Sequence, residues 1–310
     1  MKTALYTHPL CLKHKTADNH PDSPARISAV LDRLAASGTD RHLDFREPPE
    51  AAIEDILRVH LVDMVMDAKN NIPGEGEYYP LGGTMLNSYS WKAALRAVGS
   101  AVTATEAVIA GELDNAFCLV RPLGHHSTAA EAAGFGVFNS VAIAAKRAID
   151  VLGLERVAIV DTDVHHGNGT EDIFINEPRV LMVSYYQEYL YPFSGNERKR
   201  DHMVNVPVPA GTDGAAIRRI VKEKWLPALA RHKPEMIFIS AGFDAHRDDP
   251  LGGMKLVEED YGWITRQVVA AANEYAKGRI VSVLEGGYSL SGLAGSATAH
   301  IRALAGLDQE

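Results

Sequence analysis

Short runs of β-branched and other apolar residues recur along the chain at 116–120, 157–160, 180–183, 236–239 and 280–284. Each is apolar throughout rather than alternating, which is the pattern of a strand covered on both faces. Between the runs the apolar residues repeat with a helical period, as in Ile217, Ile220, Val221, Trp225, Leu226 and Leu229, or Tyr261, Ile264, Val268, Ala272 and Tyr275. Parallel strands need long crossovers, so this alternation predicts an α/β fold, a mostly parallel central sheet with helices on both faces. Ser23-Pro24 reads as a helix start for a helix ending near Ala36, before Gly38, and a second helix covers 90–110. The stretches 69–87, 124–138, 185–212 and 241–255 read as long loops, a length that in a compact domain usually serves function. No repeat or low-complexity linker divides the chain, so one domain over 1–310 is expected.

Charge and composition exclude several classes. A net charge of −9 argues against a nucleic-acid partner. No uncharged apolar run approaches the ~20 residues of a membrane span, so no membrane partner is expected either. The N-terminus reaches His8 and Pro9 before an apolar region of signal-peptide length can form. With Cys11 and Cys118 alone there is no disulfide framework, and a cytoplasmic location is expected, with both cysteines as small buried hydrophobes. A homo-oligomer is left open.

In an open parallel sheet ligands bind beyond the carboxyl ends of the strands. The residues that follow the runs are all polar: Arg121-Pro122-Leu123-Gly124-His125-His126, Asp161-Thr162-Asp163-Val164-His165-His166-Gly167-Asn168-Gly169, Ser240-Ala241-Gly242-Phe243-Asp244, and Glu285-Gly286-Gly287-Tyr288. Asp163 and His165 are two apart, so in extended backbone they project to one side. With Asp244 they make two carboxylates and one imidazole, a set that suits a zinc ion with one open position. A single such pair would more often be a solvated turn; four polar clusters at successive strand ends favour the metal. His125 and His126 diverge as neighbours, but a loop can aim both at one pocket, where an imidazole serves as general base and then acid. Tyr288, after two glycines, can donate its phenol to an oxyanion.

These motifs resemble the histone deacetylase family, above all its class II branch and the bacterial deacetylase-like amidohydrolases, within the arginase/deacetylase fold. The likeness runs over most of the chain: Cys11, His14, His20-Pro21, Pro24 and Arg26, the Arg-Pro-x-Gly-His-His run, Gly134-Phe135, the Asp161 to Thr170 motif, Asp244 with Asp249-Pro250-Leu251-Gly252, and Glu285-Gly286-Gly287-Tyr288. The resemblance implies Zn²⁺ on Asp163, His165 and Asp244, with His126 as base and acid, His125 as its electrostatic partner and Tyr288 polarising the acyl carbonyl. It implies that Asp161 orients His125 and Asn168 contacts His126. Gly134, Phe135, Tyr191, Gly286 and Gly287 would line a substrate tunnel, with Arg26 in a channel behind the metal. It also implies K⁺ on Ser184 and on the backbone of Asp161, Asp163 and His165. The implied reaction is hydrolysis of an acyl-lysine in a protein or peptide, or of an acylated small amine such as an acetylpolyamine. A two-manganese ureohydrolase is the competing enzyme class, and it lacks a needed acid where His246 stands. Leu123, Ser127-Thr128 and Gly136-Val137 depart from the family pattern and predict a roomier tunnel wall, and the altered rim at 186–195 departs from it as well.

Overall fold

The computed structural model describes residues 1–195 and 200–307. The chain lays down β1 (Thr3–Tyr6), α1 (Ala25–Ala36), β2 (Leu43–Arg46), α2 (Ile53–Ile56), α3 (Val62–Asn70) and a small antiparallel hairpin of β3 (Tyr79–Leu81) and β4 (Thr84–Leu86). It continues through α4 (Ser90–Ile109), β5 (Asn115–Cys118), α5 (Ser140–Asp150), β6 (Val157–Asp161), α6 (Asn168–Phe174), β7 (Val180–Gln187) and β8 (Met203–Val208). Then come α7 (Gly214–Ile220), α8 (Leu226–His232), β9 (Ile237–Ala241), α9 (Glu258–Tyr275), β10 (Ile280–Leu284) and α10 (Leu290–Leu304).

Eight of these strands form one sheet in the order β2-β1-β5-β10-β9-β6-β7-β8, every neighbouring pair parallel. The side chains of each strand alternate between two apolar cores, one on each face: in β6, Ile159 enters one, while Ala158 and Val160 enter the other. Helices α4 and α5 close the first core, and α1, α9 and α10 the second. This two-sided cover is why the central strands read as unbroken apolar runs.

Three strands are not apparent from apolar runs. β1 is only four residues long, β2 lies at the sheet edge with the polar sequence Leu-Asp-Phe-Arg, and β8 is the opposite, half-exposed edge. The segment 185–212, expected to be loop, therefore contains the end of β7 and all of β8. The expected helix through 217–229 is α7 and α8 joined by a π-turn at Val221–Trp225; Pro227, which has no N–H to give, lies one residue into α8. Among the described residues no helix is long and apolar enough to cross a membrane. Both cysteines are buried and unpaired.

Candidate active site

The loops that leave the carboxyl ends of β5, β6, β9 and β10 lie side by side because those strands are close together in the sheet. Asp163 and His165 follow β6 and Asp244 follows β9. Their ligand atoms all lie within 4.8 Å of one another and all three residues are buried. His165 Nδ1 stands 2.9 Å from Asp163 Oδ1 and 3.1 Å from Asp244 Oδ2. Backbone amides fix both carboxylates: Gly286 N–H donates to Asp163 Oδ2 (2.8 Å) and Val164 N–H to Asp244 Oδ1 (2.7 Å). A side chain at Gly286 is impossible, since its Cβ would stand 2.0 Å from Asp244 Oδ2.

The two histidines after β5 have different partners. His125 Nδ1 is 2.9 Å from Asp161 Oδ2, and His126 Nδ1 is 2.8 Å from Asn168 Oδ1. The His126 ring centroid is 4.0 Å from that of His125, 5.8 Å from that of His165 and 5.0 Å from that of Tyr191. From below, Glu285 Oε2 accepts the backbone N–H groups of Gly124 (2.9 Å) and His125 (3.1 Å), which ties the histidine loop to the end of β10.

Burial alone would lower both histidines. At His125 the carboxylates of Asp161, Asp163 and Glu285 overcome it and hold the imidazole well above its ordinary value. At His126 burial wins, helped by His125 and His165, and the imidazole is held well below it. The pair is thus split into a cation and a neutral base. His165 is lifted to about 10 against its burial, by Asp163 and Asp244. Asp244 is pushed up to about 7 by burial and by the neighbouring Asp163 charge. Two buried carboxylates crowding one imidazole call for a further positive charge, which a divalent cation supplies.

Tyr191 stands beside His126 and His165, and Phe135 beside Tyr288. Phe135 packs edge-on against His20 (4.3 Å) and Tyr288 (6.0 Å), and Gly134 N–H faces the Tyr191 phenol oxygen. Gly286 packs on the metal triad rather than along the approach, and the Gly287 carbonyl accepts from Arg26 Nε (2.6 Å). Arg26 also donates to the Glu285 carbonyl and lies 5.0 Å over the Tyr288 ring. Burial pushes the Tyr288 phenol well above its ordinary value, so it stays a proton donor. Ser184 pairs with Asp161 across the β6–β7 ladder, and its hydroxyl donates to Asn205 Oδ1 (2.8 Å).

Leu123 and Gly136 are tied to one another. The two residues bridge each other through backbone, Leu123 is buried, and a Cβ on Gly136 would meet the Leu123 carbonyl oxygen at 2.8 Å. Val137 is fully inside the core and Tyr186 packs on His166 at 4.9 Å. Supporting residues not assigned a role from the sequence are Asp249, whose Oδ2 accepts the N–H groups of Tyr288 (2.7 Å) and Ser289 (3.2 Å), and Asp22, which binds both Arg26 and Arg121. The carboxylate before Pro250 was a visible signal for the first; the second needed the distance from residue 22 to residue 121 to be closed in space.

Comparison with known proteins agrees with this geometry. The histone deacetylase domain model matches residues 20–304. A probable deacetylase of Archaeoglobus fulgidus is 36% identical over 99% of this chain and 88% of its own length. A histone deacetylase-like amidohydrolase of Pseudomonas aeruginosa is 36% identical over 93% of this chain and 82% of its own. By contrast the chain spans only 21% of a type-2 histone deacetylase 2 of Dictyostelium discoideum, to which it is 32% identical. The crystal structure of the HDA15 HD domain superposes with a TM-score of 0.90 at 31% identity, covering 99% of this chain and 89% of that one, so the fold is that of the deacetylases. With a family model over nearly all of its length and relatives matched almost end to end, the chain belongs to the histone deacetylase family.

Proposed function

We propose that the protein is a zinc-dependent amide hydrolase that removes an acetyl or other acyl group from a lysine-like amine and releases a carboxylate. The observation that carries this reading is the buried group of Asp163, His165 and Asp244 with the neutral His126 ring 5.8 Å from that of His165. The donor set fits zinc: an imidazole and two carboxylates, each carboxylate held by a backbone amide. Zinc held there would act as a Lewis acid on the acyl carbonyl and on water.

The chain's own residues account for the rest. His126, neutral and steadied by Asn168, takes the proton of the attacking water and returns it to the leaving amine nitrogen as the C–N bond breaks. His125, held as a cation by Asp161, stabilises negative charge that develops beside it. Tyr288 donates its phenol proton in a hydrogen bond to the carbonyl oxygen as charge builds there. Phe135 and Tyr191 confine the acyl-bearing chain, and the Gly134 carbonyl accepts the substrate amide N–H. Potassium would be held by the Ser184 hydroxyl and the backbone of Asp161, Asp163 and His165, a reading supported by the pairing of Ser184 with Asp161. Metal analysis together with a fluorogenic acyl-lysine assay, before and after chelation, tests the reading. One zinc per chain with chelator-sensitive hydrolysis supports it; a metal-free protein with undiminished hydrolysis overturns it.

A further inference from the structure

The rim beside the tunnel carries a feature that acyl transfer at the metal does not use. Tyr189 is 87% exposed and Phe193 75%, while Tyr191 between them is 40% exposed and turns inward to His126. Both exposed aromatics have left-handed backbone, φ 59° at Tyr189 and 60° at Phe193, a conformation that bulky side chains rarely adopt. Such backbone persists where the surroundings over-determine it.

Here they do. Glu188 N–H donates to Val208 O (2.9 Å), Leu190 packs into the core, and Phe193 N–H closes a turn onto Leu190 O (2.8 Å). Ser194 Oγ is 2.8 Å from His166 Nδ1, and His166 Nε2 is 2.6 Å from Glu171. Gly195 lies so close to Tyr186 that a Cβ there would stand 2.6 Å from the ring. The loop is pinned at both ends and in the middle, yet presents two large rings to water. Exposed aromatics held in one place lose little freedom on contact, which is the composition of interface anchors.

What covers them follows from the tunnel. An acylated amine that reaches the metal between Phe135 and Tyr191 leaves the body it is attached to at the rim, next to Tyr189 and Phe193. Among the described residues neither ring pairs with another aromatic ring, so no cage closes around a single ammonium group. Two separated rings suit two apolar side chains spaced along an extended backbone.

We propose that Tyr189 and Phe193 form a preformed aromatic platform for the apolar residues flanking an acylated lysine, so that the substrate is a polypeptide segment rather than a free acylated polyamine. This rests on the amide-hydrolase reading above.

The test compares wild-type, zinc-loaded protein with the double variant Tyr189→Ser/Phe193→Ser. The substrates are an acetyl-lysine peptide with leucines flanking the lysine, the same peptide with serines there, and N-acetylputrescine. In parallel, fluorescence anisotropy follows labelled versions of both peptides in which norleucine replaces the acetyl-lysine, so that binding is read without chemistry. The leucine-flanked peptide should bind wild type about five- to thirtyfold tighter than the serine-flanked one, the range for truncating one or two interface aromatics. The double variant should erase that difference in Kd and KM, with kcat kept and no matching rise in KM for N-acetylputrescine. Equal affinity of wild type for the two norleucine peptides, or an equal loss for both in the variant, overturns the platform. If zinc-loaded wild type hydrolyses no acylated amine, the amide-hydrolase reading falls, and the anisotropy comparison still decides the platform.

Discussion

Gly134 lies directly against His126: with φ at +56°, a methyl group at its Cα would stand 2.1 Å from Cδ2 of the imidazole. No side chain fits without moving the ring proposed as the base. Gly134→Ala should lower kcat by at least about tenfold through misplacement of His126, and destabilise the fold through the left-handed backbone by about 1–2 kcal/mol. Steady-state kinetics with a denaturation curve check both. Near-normal turnover would mean that His126 has room to yield and is not the positioned base.

Asp163 holds the metal triad together and accepts from Gly286 N–H. Asp163→Ala should leave a two-ligand site that keeps no zinc, and hydrolysis should vanish with it. Full zinc occupancy by elemental analysis would refute the assignment.

Tyr288 is half-buried beside Arg26 and Phe135, and its phenol stays protonated. Tyr288→Phe removes one oxygen without disturbing the fold, so zinc should stay while kcat falls by roughly 10² to 10³. Unchanged turnover on a substrate whose chemistry is rate-limiting would take Tyr288 out of the mechanism.

His126 works as a base only when neutral. Because burial and the His125 cation depress it, the acid limb of kcat/KM should lie below the ordinary histidine value near about 6.5. His125→Ala removes that cation, so the limb should move to higher pH, with a modest fall in rate. His126→Ala should lower turnover by about 10² to 10⁴ and keep its zinc. If His125→Ala is the deader enzyme at matched zinc content, the two roles are exchanged.

Asp22 is fully buried and accepts from Arg121 Nε (2.6 Å) and Nη2 (2.8 Å) and from Arg26 Nη1 (2.8 Å). Asp22→Ala strands two guanidinium groups and should destabilise the protein by about 3–5 kcal/mol in urea unfolding. Burial alone would raise the Asp22 carboxyl, but Arg121 and then Arg26 hold it well below the usual range. Its contribution is therefore complete above about pH 4, the unfolded value, and is lost as pH falls toward the folded one. A stability gap between wild type and the Asp22 variant that stays constant as pH falls below about 4 contradicts this.

The central sheet was readable because strands covered on both faces must be apolar at every position, as at 157–160 and 280–284. β2 and β8 escaped because an edge strand is free to carry Asp44 or Asn205 and still pair on one side. At the site, the chemistry-bearing residues were visible since each follows a strand within a few positions. Long-range supports such as Asp22 with Arg121 leave no local pattern, because their partnership is made by folding and not by spacing.

Of the eight strands of the sheet, β10 comes last in chain order, yet it occupies the middle, between β5 and β9. Without it, β2-β1-β5 and β9-β6-β7-β8 would be two separate ribbons, with the histidine pair on one and Asp163, His165 and Asp244 on the other. The same strand brings Glu285 under the histidine loop and Gly286 against Asp163. One central strand thus keys the two halves together, and a protein shortened before β10 would carry every proposed ligand and both histidines while having no place to do chemistry.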